Sequence, residues 1–121
     1  MPGIWLTTNL GLLTGPEVWS TNEYGEKMVI GVLTLHMHIP MCASLKEKRS
    51  QLKPLLNRLG KEFNIAVAEL DYQDSWKEAL IGCATLSNEG AHTQRSLQKI
   101  IPWIEGHFPH LTIIKDQIEL F

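Results

Sequence analysis

Cysteine is scarce in this chain: Cys42 and Cys83 are the two in 121 residues. Two are too few for a disulfide framework, and they lack the paired spacing of a zinc or redox site. They read as small buried hydrophobes in a reducing compartment. Long hydrophobic runs are missing as well. The longest, around Val29 to Leu35, falls far below the ~20 residues of a membrane helix, so no span and no membrane partner is expected. Met1 to Thr14 is mildly apolar, but no Lys or Arg precedes its apolar part and no A-x-A-like site follows. That argues against a signal peptide and places the protein in the cytoplasm. A strong charge of either sign is absent too: the net charge is −2 and the pI about 6.2. Binding to nucleic acid would therefore need local segregation of charge. Finally, there is no Gly-rich phosphate loop, no G-x-S-x-G and no nucleophile signature around a Cys/His pair. The sequence thus names no catalytic residue and no cofactor, and it leans away from an enzyme.

What is present fits one domain, because a chain of this length builds a single core. Residues 1–27 (Met1 to Lys27) scatter Gly3, Gly11, Gly15, Pro2 and Pro16 among Trp5 and Trp19 with no periodicity, and read as an unstructured extension. Gly25-Glu26-Lys27 can be encoded by a purine-rich run resembling a ribosome-binding site, which suggests that translation starts at Met28. N-terminal sequencing of native protein beginning at Met1 would end that idea.

The domain proper is then 28–121. Val29, Gly31, Leu33, Leu35, Met37 and Ile39 share one parity and Thr34, His36 and His38 the other, which is a strand with an apolar face. Pro40 stops it. Ser44 and Glu47 form a capping box opening a helix with Leu45, Leu52, Leu56, Leu59 and Phe63 at helical spacing, ending near Gly60 to Asn64. Pro54 inside it predicts a kink. Ile65 to Leu70 and Ala79 to Leu86 read as a hairpin around the polar segment Asp71 to Lys77. Ser87-Asn88-Glu89 then caps a second helix striped by Leu97, Ile100, Ile101, Ile104 and Phe108, interrupted by Pro102 and closed by Gly106 and Pro109. A last strand covers Leu111 to Leu120 and alternates less cleanly. The order βαββαβ is that of an α+β, ferredoxin-like sandwich, with four antiparallel strands carrying two helices on one face. Leu80, Gly82, Ala84 and Leu86 are apolar on one parity, and Ala79, Ile81 and Cys83 on the other. A sheet apolar on both sides usually has both covered, so a homodimer is expected.

Three groups of side chains are candidates for chemistry. His36 and His38 project from one strand face, but a metal needs three or four ligands and no H-x-x-x-H, H-E-x-x-H or C-x-x-C pattern supplies the rest, so no metal site is assigned. His107 and His110 suit the C-terminus of the second helix. Glu69, Asp71, Asp74 and Glu78 gather around the hairpin; Glu69, Asp74 and Trp76 make an alternative ligand site or small active site there, with His36 or His38. Carboxylates in a turn more often simply form the turn. The first helix is basic, with Lys46, Lys48, Arg49, Lys53, Arg58 and Lys61 against Glu47 and Glu62. Lys46, Arg49 and Lys53 fall at i, i+3 and i+7, a stripe able to track phosphates, with Lys48 beside it. The strands offer no aromatic stacking platform of the RRM kind. An interaction scaffold, with the basic helix of one molecule on the acidic hairpin of its neighbour, is a third reading.

The blocks Ser44-Leu45-Lys46-Glu47-Lys48-Arg49, Val67-Ala68-Glu69, Gln73-Asp74-Ser75-Trp76, Ile81-Gly82 and Ser87-Asn88, in that order and spacing, make the chain resemble the bacterial YlxP-like family from Met28 to about Glu119. The resemblance implies a ferredoxin-like fold and a family of unknown function, with no catalytic residues assigned. It also implies genes encoded near a translation initiation factor and ribosome-binding factor A, hence work around ribosome assembly. The leading expectation is a non-enzymatic accessory protein contacting ribosomal RNA or a ribosomal subunit through Lys46, Lys48, Arg49 and Lys53.

Overall fold

Period-two alternation in β1 (Val29–His38) decides where the core lies. In the computed structural model, which describes residues 27–121, Val29, Leu33, Leu35 and Met37 are buried while Val32, Thr34, His36 and His38 on the other parity are half-buried. The expectations for the extension ahead of Lys27, including the alternative start, lie outside the described residues. The remaining elements are α1 (Leu45–Phe63), β2 (Ala66–Asp71), β3 (Glu78–Ser87), α2 (Gly90–Gln98), α3 (Ile100–His107) and β4 (Thr112–Leu120). The strands form one antiparallel sheet in the order β2-β3-β1-β4. This is the expected ferredoxin-like α+β arrangement, in which each helix returns the chain past one intervening strand.

The core is the layer between the sheet and the helices. Leu52, Leu55 and Leu59 of α1 and Leu97, Ile100 and Ile104 of the second helical region close over Leu33, Leu35, Ile81 and Cys83. Each fully buried aliphatic side chain contributes roughly 2 kcal/mol, so truncating Leu35 or Leu59 to Ala should cost about 3 kcal/mol. At Gly31 a Cβ would collide with Thr93 and Leu97, so α2 can sit this close to β1 only over a glycine.

Both prolines lie inside helical sequence, with different results. α1 runs unbroken through Pro54. The second helical region divides at Lys99, four residues after Arg95 and three before Pro102. Pro102 has no N–H to give the Gln98 carbonyl, and its ring crowds that same carbonyl. Lys99 itself remains in the right-handed helical region, so the two segments follow one another directly. The untidy alternation of β4 also has a cause: a bulge between His36 and Met37 in the β1–β4 register leaves Ile114 without a partner and half exposed.

Candidate functional site

The start of α1 is built as the sequence indicates. Ser44 Oγ accepts the Glu47 N–H at 3.1 Å, and Glu47 Oε1 reaches back to the Ala43 N–H at 2.5 Å, one residue ahead of the cap. Glu47 is thereby engaged in the cap. Lys46, Arg49 and Lys53 are exposed, and the ion pairs among the described residues are Lys48–Glu69, His36–Glu78 and Arg95–Glu89, none involving these three cations. Arg58 is occupied: its guanidinium lies 5.3 Å from the Trp103 ring and 5.2 Å from that of Phe108, tying the end of α1 to α3.

Lys48 departs from the expectation. It is 1% exposed and sits on the core stripe with Leu52, Leu55 and Leu59, so it offers no ammonium to a phosphate. Its Nζ donates to the Tyr72 carbonyl at 2.6 Å and lies 3.0 Å from Glu69 Oε2. The second contact is Coulombic without hydrogen-bond alignment, and Glu69 Oε2, shielded from solvent, accepts no hydrogen bond. A buried ammonium is tolerated because a carboxylate and a carbonyl face it.

Lys48 therefore anchors the β2–β3 turn. Tyr72 adopts φ 65°, the left-handed region that a bulky residue seldom enters. Its carbonyl accepts from both Lys48 Nζ and the Ser75 N–H, its N–H donates to Asp71 Oδ1, and its ring stacks on His36 at 5.1 Å. Ser75 Oγ accepts from the N–H groups of Lys77 and Glu78. His36 Nε2 donates to Glu78 Oε1 at 2.6 Å. Three blocks distant in sequence, Ser44 to Arg49, Val67 to Glu69 and Gln73 to Trp76, thus meet at one end of the sheet.

The same geometry divides the acidic hairpin. Glu69 points inward to Lys48 and Glu78 pairs with His36, while Asp71 forms the turn; Asp74 and Trp76 are exposed beyond it. Of the expected ligand-site residues, Glu69 is engaged by Lys48, and Asp74 and Trp76 are open to solvent. Among the described residues no three His, Cys, Asp or Glu side chains are grouped to hold a metal ion. His36 and Tyr72, which sequence reasoning did not join, form the aromatic contact at this end.

The helical caps differ from one another. At α2 the N-cap is Glu89, with no side-chain hydrogen bond, because Ser87 is bonded to the Glu89 backbone and to Thr93 Oγ1 instead. Ser87-Asn88-Glu89 thus holds the N-cap position, at Glu89, but without a side-chain hydrogen bond to the helix. His107 does serve the C-terminus of α3, with Nδ1 2.9 Å from the Trp103 carbonyl and its ring stacked on Trp103. Both cysteines are buried thiols. Burial pushes Cys83 up to about 12; Cys42 is raised by burial and by Glu47, with Lys48 opposing.

Beyond the turn, the sheet face away from the helices is apolar through its middle. Ile30, Leu70 and Leu86 are about half exposed or more, and a shallow hollow of about 220 Å³ is lined by Val32, Ala66, Ala68, Leu70, Gly82 and Ala84 together with Val67 and Cys83. No helix among the described residues is long and apolar enough to cross a membrane.

Residues 30–117 match the model of a family described as "Protein of unknown function (DUF503)". The chain is 35% identical over 83 residues to the "Uncharacterized protein YlxP" of Bacillus subtilis (strain 168), an overlap covering 69% of this chain and 89% of that relative. Among solved structures it is similar to the de novo designed protein Foldit4, with TM-score 0.45 and 10% identity over 78% of this chain and 97% of the designed one.

Proposed function

The chain belongs to the DUF503 family of proteins of unknown function, and from that starting point we propose that it is a non-enzymatic, cytoplasmic binding protein that contacts ribosomal RNA or a ribosomal subunit through α1. One observation carries this reading: Lys46, Arg49 and Lys53 stand at i, i+3 and i+7 on an exposed side of the helix, with no carboxylate of the described residues paired to them. Cations left unneutralised by their own chain are available to displace counterions from a phosphate backbone. Lys48 has no part in this contact and holds the turn.

Sedimentation of lysate through a sucrose gradient at low and moderate salt tests the reading. The native protein should co-migrate with a ribosomal subunit at low salt and release as salt rises. A Lys46→Ala/Arg49→Ala/Lys53→Ala variant with an unchanged circular dichroism spectrum should stay at the top. Native protein that stays at the top under every condition overturns the reading.

A second reading rests on the His36–Glu78 hydrogen bond of 2.6 Å, partly open to solvent and stacked under Tyr72. Together with the exposed Asp74 and Trp76 it would form a ligand site on the turn. A change in tryptophan fluorescence on ligand addition that Asp74→Ala abolishes, with the fold intact, would favour it over the RNA reading.

A further inference from the structure

Every strand contributes to the outer face of the sheet, and the register fixes what lies beside what. Thr34 is paired with Gly82 and with Gln117, and Gly82 with Ala68, so a row that is short except at Gln117 crosses the middle of the face. To one side the next outward row holds Val32, Ala84, Ala66 and Glu119; to the other it holds His36, Leu80 and Lys115, with Leu70 folded over Gly82. We propose that this face binds a second copy of the chain, the two related by a two-fold axis that runs across the strands along the Thr34–Gly82–Ala68 row.

The arrangement is self-complementary about that row in shape and in charge. A half-turn sets the short Ala66 and Ala84 at the rim of the hollow of about 220 Å³ over Leu80 and the Leu70 segment of the second copy, at the usual sheet spacing of about 10 Å. Lys115 and Glu119 lie on the outer face two residues either side of Gln117, and neither has an ion-pair partner among the described residues. The same half-turn places each Lys115 opposite the other copy's Glu119, giving two identical pairs. A single patch that meets itself in this way is what an isologous interface requires. An axis along the strands would instead bring each Lys115 to the β2 end near Asp71 and leave Glu119 opposite Ala66, so only the axis across the strands gives Glu119 a partner. The helices stay on the outside, clear of the contact.

Sedimentation equilibrium of the full chain tests this. Native protein should approach twice its 13.7 kDa mass with rising concentration. Ala68→Arg, at an exposed position on the axis, sets two guanidinium groups against each other and should give a monomer with an unchanged circular dichroism spectrum. Lys115→Glu and Glu119→Lys should each weaken the dimer by about ten-fold or more through like-charge contact, and the double exchange Lys115→Glu/Glu119→Lys should restore it. Native protein that stays at 13.7 kDa at every concentration overturns the proposal, leaving the face to a different occupant. A dimer indifferent to Ala68→Arg, or one not restored by the double exchange, overturns it equally.

Discussion

Lys48 occupies a place where helical spacing calls for an aliphatic residue, and its surroundings make it costly to change. Lys48→Met would keep most of the volume but leave Glu69 and the Tyr72 carbonyl without their cation, the case in which a shielded charge loses its partner; a destabilisation of about 3 kcal/mol is expected. Urea unfolding should show it as a lower midpoint at unchanged slope. Lys48→Met/Glu69→Leu should recover much of the loss, because apolar side chains of similar size need no counter-charge. This burial was legible: positions 48, 52, 55 and 59 lie on one stripe, and Glu69 shares the inward parity of Val67. Two opposite charges on inward positions of adjacent elements are a pairing signal. Reading the lysine only as part of a basic helix hid it. The second residue-scale expectation concerns Cys83. Its thiol is raised by burial from an ordinary 9.0 to about 12, so the folded chain keeps a proton that the unfolded chain gives up. Stability that is whole below pH 9 is therefore lost as the pH rises toward 12. Denaturation across that window should show a shallower decline for Cys83→Ala than for the native protein.

Elements were more legible than the contacts that terminate them. Alternation in β1 and the Ser44/Glu47 pair marked a strand and a helix start within a residue of where they lie, because both signals are local. The cap of α2 falls within Ser87-Asn88-Glu89 as expected but lacks a side-chain hydrogen bond, because Ser87, a good capping residue by type, spends its hydroxyl on Thr93 and on the Glu89 backbone, a choice made by tertiary packing. The two helix starts should then respond in opposite directions. Ser44→Ala removes a formed cap and should cost about 1 kcal/mol, whereas Glu89→Asp supplies a shorter carboxylate able to reach the first N–H groups and should gain about 0.5 kcal/mol. Thermal unfolding of the two variants checks both signs. The prolines illustrate the same limit. Pro54 and Pro102 carry the same local signal, yet the helix divides only ahead of Pro102.

At the scale of the described residues as a whole, one face of the sheet is committed to the helices and the other is apolar through its middle, so the cations of α1 point away from the surface on which two copies would meet. Phosphate contact and self-association are consequently separable. Which cations would serve the first is decided by exposure: Lys46, Arg49 and Lys53 are exposed, whereas Lys48, on the stripe of Leu52, Leu55 and Leu59, is not. Salt dependence turns this distinction into a number. Each phosphate neutralised on single-stranded or duplex nucleic acid adds about 0.7 to 0.9 to the slope of log affinity against log salt. Removing Lys46, Arg49 and Lys53 together should therefore flatten the slope for RNA by about 2 to 3. Lys48→Met, measured where the protein remains folded, should lower stability and leave that slope unchanged. Lys115→Glu/Glu119→Lys should leave it unchanged too, since those side chains lie on the far side of the sheet from α1. A slope that drops with Lys48→Met as much as with Lys53→Ala would mean that the turn, and not the exposed helix face, meets the RNA.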